Sequence, residues 1–210
     1  MKCSHFEPLE STREWKNMPC VIYMHGNSSW RGEAFDLVDY FLTSNITLFC
    51  FDFPACGMSE GEYISLGWFE RDDVACIINH LRENRNVSTI GLWGRSMGAV
   101  TALLHGDRDP SIAGLVLDSP FSNLRTLCNE LASHHAHVPA FLVGAAMAIV
   151  GSTIQNRAGF DVNELTPITH VNECFIPALF ATGEQDDFIK PHHTDALYEA
   201  YAGDKNLIKF

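Results

Sequence analysis

Six short runs rich in apolar, β-branched and aromatic residues, near 20–24, 46–52, 88–93, 112–117, 176–181 and 206–210, alternate with helical patterns along the chain. Strands separated by helices cannot pair as tight hairpins, so each crosses over to a parallel neighbour. The alternation predicts an α/β chain with a mostly parallel sheet and helices on both faces. Between the second and third runs, Val74, Ile77, Ile78 and Leu81 fall at i, i+3, i+4 and i+7, while Arg71, Asp72, Asp73, Arg82 and Glu83 lie opposite. That spacing predicts an amphipathic helix lying on the sheet. Residues 123–172 carry no strand signal and read as a small helical insertion above the sheet. Within it the apolar stretch 138–150 is broken by Pro139 and Gly144 and falls short of the ~18 residues of a membrane span, so it reads as a buried helix. No repeat or linker divides the chain, and residues 1–210 read as a single domain.

Ligands of parallel sheets gather at the carboxyl ends of the strands, which makes the loops there the place to look for chemistry. After the third run stands Gly94-Arg95-Ser96-Met97-Gly98, a G-x-S-x-G box between a strand and a helix. A serine hydroxyl attacks well only when a tight turn holds it out, with a base on one side and backbone N–H donors on the other. Small residues two before and two after Ser96 let strand and helix approach closely enough to make that turn. His25-Gly26-Asn27-Ser28-Ser29 follows the first run, Asp52 with Gly57-Met58-Ser59-Glu60-Gly61 the second, and Gly183-Glu184-Gln185-Asp186-Asp187-Phe188-Ile189 the fifth.

In this order and spacing, the four motifs resemble the α/β-hydrolase superfamily, in particular its compact branch of esterases, acylglycerol lipases, thioesterases and S33-type aminopeptidases. The resemblance covers residues 19–210. It implies an α/β-hydrolase fold and a serine hydrolase acting without a cofactor on an acyl ester, thioester or peptide bond. It also implies roles: Ser96 as nucleophile, the N–H groups of Asn27 and Met97 as oxyanion donors, and Asp186 as the acid that orients the base. Asp118, at the end of the fourth run, is an alternative acid, because some hydrolases of this fold take the acid from that strand. Asp52 and the turn at 57–61 match a structural corner of the family, and His25 reads as a histidine that fixes its own loop. Trp30, Phe53, Phe121 and Phe188 each follow a motif at the same rim, and Trp30, Phe121 and Phe188 are the candidates to line a substrate pocket.

The family takes its histidine from the loop after the last strand. Residues 207–210 read as the start of that strand and Lys2 to Glu7 as the family's second strand, so the expectation is a domain incomplete at its C-terminal end and lacking its first strand. The catalytic histidine is then expected beyond Phe210. His192 and His193 begin a helix behind Pro191, poorly placed to reach Ser96, whereas His134, His135 and His137 belong to the insertion that overhangs the site in relatives. A catalytically silent binding domain of the same fold is the alternative.

A formal charge of −12 repels phosphate backbones and anionic membranes, which turns attention from nucleic acid toward small acyl substrates or peptides. Seven cysteines, an odd number without a C-x-x-C pair, read as reduced thiols, and the first residues lack a secretory apolar core. A cytoplasmic location is the expectation. His134 and His137 are i, i+3, yet the local sequence does not complete a ligand set, and no metal is expected.

Overall fold

In the computed structural model, which describes residues 1–135 and 140–210, seven strands form a sheet in the order β1-β3-β2-β4-β5-β6-β7. They are β1 (Lys2–Phe6), β2 (Met18–Met24), β3 (Thr47–Asp52), β4 (Val87–Arg95), β5 (Gly114–Asp118), β6 (Ala178–Thr182) and β7 (Lys205–Lys209). Only the edge strand β1 runs antiparallel to its neighbour; the other pairs are parallel. The helices are α1 (Val38–Thr43), α2 (Glu70–Asn84), α3 (Met97–Gly106), α4 (Leu124–His135), α5 (Ala140–Ala158) and α6 (Pro191–Ala200). The chain has the α/β-hydrolase fold.

Helices lie on both faces of the sheet, and the side chains of β2 show how. Cys20, Ile22 and Met24 join Val74, Ile77, Ile78 and Leu81 of α2, Leu103 of α3 and Leu197 of α6 in the main core. Val21 and Tyr23, on alternate positions, turn instead toward Phe41 of α1 with Leu48 and Cys50 of β3. All six residues of β3 are buried, as a parallel strand covered on both sides requires.

The fourth and fifth runs start pairing later than their apolar residues suggest. Ile112 and Ile176 are both buried in the core, but β5 and β6 pair only from Gly114 and Ala178. Pro177 has no N–H to give to the ladder, although its carbonyl accepts from Leu115 N–H at 2.9 Å.

The insertion is helical, as expected, and closes a second apolar cluster of Val100, Leu104, Phe121, Leu124, Leu127, Phe160, Val162, Leu165 and Ile189. The expected buried helix over 138–150 needs correction. Val138 and Pro139 lie outside the described residues, α5 runs on to Ala158, and Ile149 is 71% exposed. Among the described residues of α5, Met147, Ile154 and Ala158 pack against the second cluster, while Ile149 and Val150 are left to solvent. Among the described residues no helix is long and apolar enough to cross a membrane.

Candidate active site

Ser96 occupies the turn between β4 and α3 with φ 51° and ψ −112°, a left-handed conformation that side chains other than glycine seldom adopt. The glycines of the box explain how the turn closes. A Cβ on Gly94 would overlap the carbonyl of Gly98, and one on Gly98 would overlap the carbonyl of Met24 in β2. The Ser96 N–H donates to Asp118 O at 2.7 Å, which pins the turn to the end of β5. Met97 is the first residue of α3, so its N–H is one of the first-turn donors that a helix leaves unpaired, at the positive end of the helix dipole.

The loop after β2 lies against this turn: a Cβ built on Gly26 would be 3.8 Å from that of Ser96. Asn27, the next residue, is exposed and opens a turn completed by Ser28 at φ 61°. His25 is fully buried beneath it. Phe53 N–H donates to His25 Nε2 at 3.1 Å, so the ring proton belongs on Nδ1, which donates to Gly26 O at 2.7 Å. Burial pushes this imidazole below its ordinary pKa, in keeping with a neutral ring that props the loop.

Glu33, which the sequence did not single out, ties the loop to the turn. One carboxylate oxygen accepts Gly26 N–H at 3.0 Å, and the other accepts Arg95 Nη1 at 2.6 Å. No local signal could have found this pair, because neither residue belongs to a motif of the other's element.

At the end of β6, Asp186 Oδ1 accepts the N–H groups of Phe188 and Ile189, both at 2.9 Å. This turn consumes one carboxylate oxygen and leaves Oδ2 for a further donor. Phe210 reaches the same loop, accepting Glu184 N–H on its carbonyl at 2.7 Å. Asp118 is the neighbouring acid. Burial pushes its carboxyl above the usual range and the Asp186 charge adds to the rise, while a hydrogen bond from Ser119 and the charge of Arg95 oppose it.

Of the aromatic rim candidates, Trp30 and Phe188 are exposed at the sheet's carboxyl end, whereas Phe121 is buried in the second cluster and Phe53 in the main core. Asp52, fully buried, accepts the N–H groups of Arg31 and Met58 and the Arg31 guanidinium. Gly57 passes so close to that carboxylate, at φ 53°, that a side chain would not fit, as a structural corner demands. Three histidines are engaged away from Asp186: His193 Nδ1 lies 2.8 Å from Ser122 Oγ, His192 Nε2 lies 2.9 Å from Glu130, and His170 Nδ1 lies 2.6 Å from Asp107. His134 is exposed on α4, and His137 lies outside the described residues.

The model of the serine aminopeptidase S33 family matches residues 16–158. The Bacillus subtilis protein YqkD is 28% identical over 191 residues, 89% of this chain and 61% of that protein. The lysophosphatidylserine lipase ABHD12 of Danio rerio is 26% identical over 196 residues, 90% of this chain and 49% of the lipase. The chain therefore spans about half to three fifths of the length of these relatives. Among solved structures, the Pyrococcus furiosus esterase Pf2001 superimposes with a TM-score of 0.71 at 23% identity, covering 92% of this chain and 74% of the esterase.

Proposed function

The chain belongs to the serine aminopeptidase S33 family and is an α/β hydrolase of the serine-hydrolase type, and from that premise we propose that Ser96 attacks the carbonyl of an acyl ester, thioester or peptide bond. The observation that carries this reading is the turn at Ser96, where a non-glycine residue is held at positive φ by two glycines that admit no side chain. Backbone strain at a strand-to-helix turn has no packing benefit of its own, and it presents the hydroxyl beside the first N–H groups of a helix.

In this reading the N–H groups of Met97 and Asn27 receive the oxyanion, with Glu33 holding the second donor's loop in place. Asp186 orients the base through its remaining oxygen, and Asp118 serves the turn through its carbonyl. The base is a histidine that meets the remaining oxygen of Asp186, in the loop whose Glu184 N–H donates to Phe210 O. Trp30 and Phe188 border the acyl group, and Phe121 supports the site from within the second cluster. Small acyl molecules or peptides are the substrates and the cytoplasm is the location.

A fluorophosphonate probe tests the assignment. The 210-residue chain should label weakly, and the chain carrying whatever residues are encoded after Phe210 should label at Ser96 and lose the label in Ser96→Ala. The loss of a triad base lowers turnover by ~10⁶ in a comparable serine hydrolase, so the contrast should be large. Ordinary labelling of the 210-residue chain would instead assign the base to one of its own histidines, and single alanine replacements at His134, His135, His137, His192 and His193 would show which. No labelling of either form would favour a silent binding domain.

A further inference from the structure

Past the bond from Ser119 N–H to Ala181 O at 2.9 Å, which ends the β5–β6 ladder, the two chains part. The chain after β5 leaves through Ser119, at φ 51°, and places Phe121 in the second cluster, while the chain after β6 winds around Asp186 into α6. They meet again at Ser122 and His193. Ser122 N–H donates to His193 Nδ1 at 3.3 Å, and the Ser122 hydroxyl oxygen lies 2.8 Å from the same nitrogen. A ring nitrogen that accepts an amide N–H carries no proton, so the hydroxyl donates to it as well. The ring proton therefore sits on Nε2, facing Glu130 Oε2 at 3.7 Å. His193 is fully buried, and burial, helped by the charges of His192 and Lys190, lowers its pKa against the pull of Glu130. A neutral ring keeps its acceptor.

We propose that His193 is a positioning residue whose Nδ1 fixes the Asp186 loop relative to the turn that carries Ser96. The catalytic consequence rests on Ser96 being the nucleophile and Asp186 the acid. Each end of the link is held. On one side Asp118 O accepts Ser96 N–H at 2.7 Å, and Ser122, four residues further on, accepts Ile168 N–H on its carbonyl at 3.0 Å. On the other side His193 N–H donates to Lys190 O at 3.0 Å, just past the amides of Phe188 and Ile189 that close on Asp186 Oδ1. The path from Ser96 to Asp186 thus crosses only short covalent stretches between hydrogen bonds.

Packing alone does not supply this constraint. Phe121 and Ile189 share the second cluster, but apolar contact is non-directional and lets two loops slide over each other. Two donors from one serine converging on one nitrogen set an angle as well as a distance. The ring itself is locked by burial, as a group that holds catalytic residues in register has to be.

Asparagine tests the assignment, because its side-chain oxygen can stand where Nδ1 stands, whereas leucine keeps bulk and loses the acceptor. Asparagine is also no base, so recovery separates positioning from proton transfer. In the 210-residue protein, hydrogen exchange of the Phe188 and Ile189 amides should quicken ~10-fold in His193→Leu and ~3-fold in Ser122→Ala, the factors for two and one lost hydrogen bonds of ordinary net strength. His193→Asn should restore the slow exchange. In whichever form of the protein labels at Ser96, kcat for p-nitrophenyl acetate should fall ~10–100-fold in His193→Leu with KM little changed, since a misplaced acid costs chemistry rather than binding. His193→Asn should recover most of that loss. Glu130→Gln, which meets His193 only at Nε2, should alter neither readout. Unchanged exchange or unchanged kcat in folded His193→Leu, or an asparagine variant as impaired as the leucine one, overturns the proposal. If His193→Leu does not fold, unchanged exchange in Ser122→Ala overturns it equally. Failure of every form to label would remove the catalytic roles of Ser96 and Asp186, and the exchange rates then decide the link by themselves.

Discussion

Glu33 and Arg95 are 62 positions apart in the chain and 2.6 Å apart in space, and the same glutamate also holds Gly26 N–H. The link joins the residue before Ser96 to the residue before Asn27. The ion pair itself is half-exposed on the arginine side and contributes little stability. Its value is positional: Glu33→Ala should lower kcat/KM for p-nitrophenyl acetate by ~10–100-fold in whichever form of the protein labels at Ser96, in line with the cost of small misplacements at a reacting centre. Urea unfolding should change little. A fully active Glu33→Ala protein would show that the two loops hold their places unaided.

Two glycines separate steric necessity from mere tolerance. Gly98→Ala drives a methyl into the Met24 carbonyl in the middle of the fold, and the expected cost is more than ~3 kcal/mol, with low soluble yield. Gly144→Ala, on α5, meets nothing within 4 Å. There the change should stabilise by ~0.5–1 kcal/mol, as alanine replaces glycine inside a helix. Denaturant midpoints of the two variants should move in opposite directions.

Strain at Ser96 makes a stability prediction as well as a catalytic one. A glycine adopts φ 51° without the Cβ clash that serine suffers. Ser96→Gly should therefore raise stability by about 1 kcal/mol, or ~2–4 °C in Tm, while abolishing probe labelling. Ser96→Ala keeps the strain, so it should abolish labelling without the gain.

Acid should destabilise the fold through its buried histidines. Burial lowers the pKa of His5, His25 and His105 below the ordinary 6.5. As pH falls through about 6.5, the unfolded chain takes up these protons before the folded one does, and stability is lost in that window. Tm should fall steadily from pH 7.5 to 5.5 in metal-free buffer. His105 is a direct control: burial lowers its pKa even though its Nε2 lies 3.8 Å from Asp109, so His105→Leu should flatten the slope, and an unchanged slope would remove it as a contributor.

What the sequence determined by itself was whatever a few consecutive residues decide. The strand runs, the helix of Val74, Ile77, Ile78 and Leu81, and the glycines around Ser96 follow from periodicity and local sterics, and the structure has each of them. The Asp186 turn is equally local, closing on amides two and three residues ahead. Tertiary structure decided the rest, because the remaining relationships depend on which distant elements the sheet order makes neighbours. Glu33 meets Arg95 only because β2 pairs with β4. His25 takes its tautomer from Phe53, at the far end of β3. The burial of Phe121 and the exposure of Trp30, Phe188 and Ile149 depend on where the insertion settles. The cluster of Glu130, His192 and His193 joins two helices that no local spacing connects. Periodicity is a short-range property of a chain, whereas burial and polar partnership are set by long-range packing, and those are the properties that turn residue types into a site.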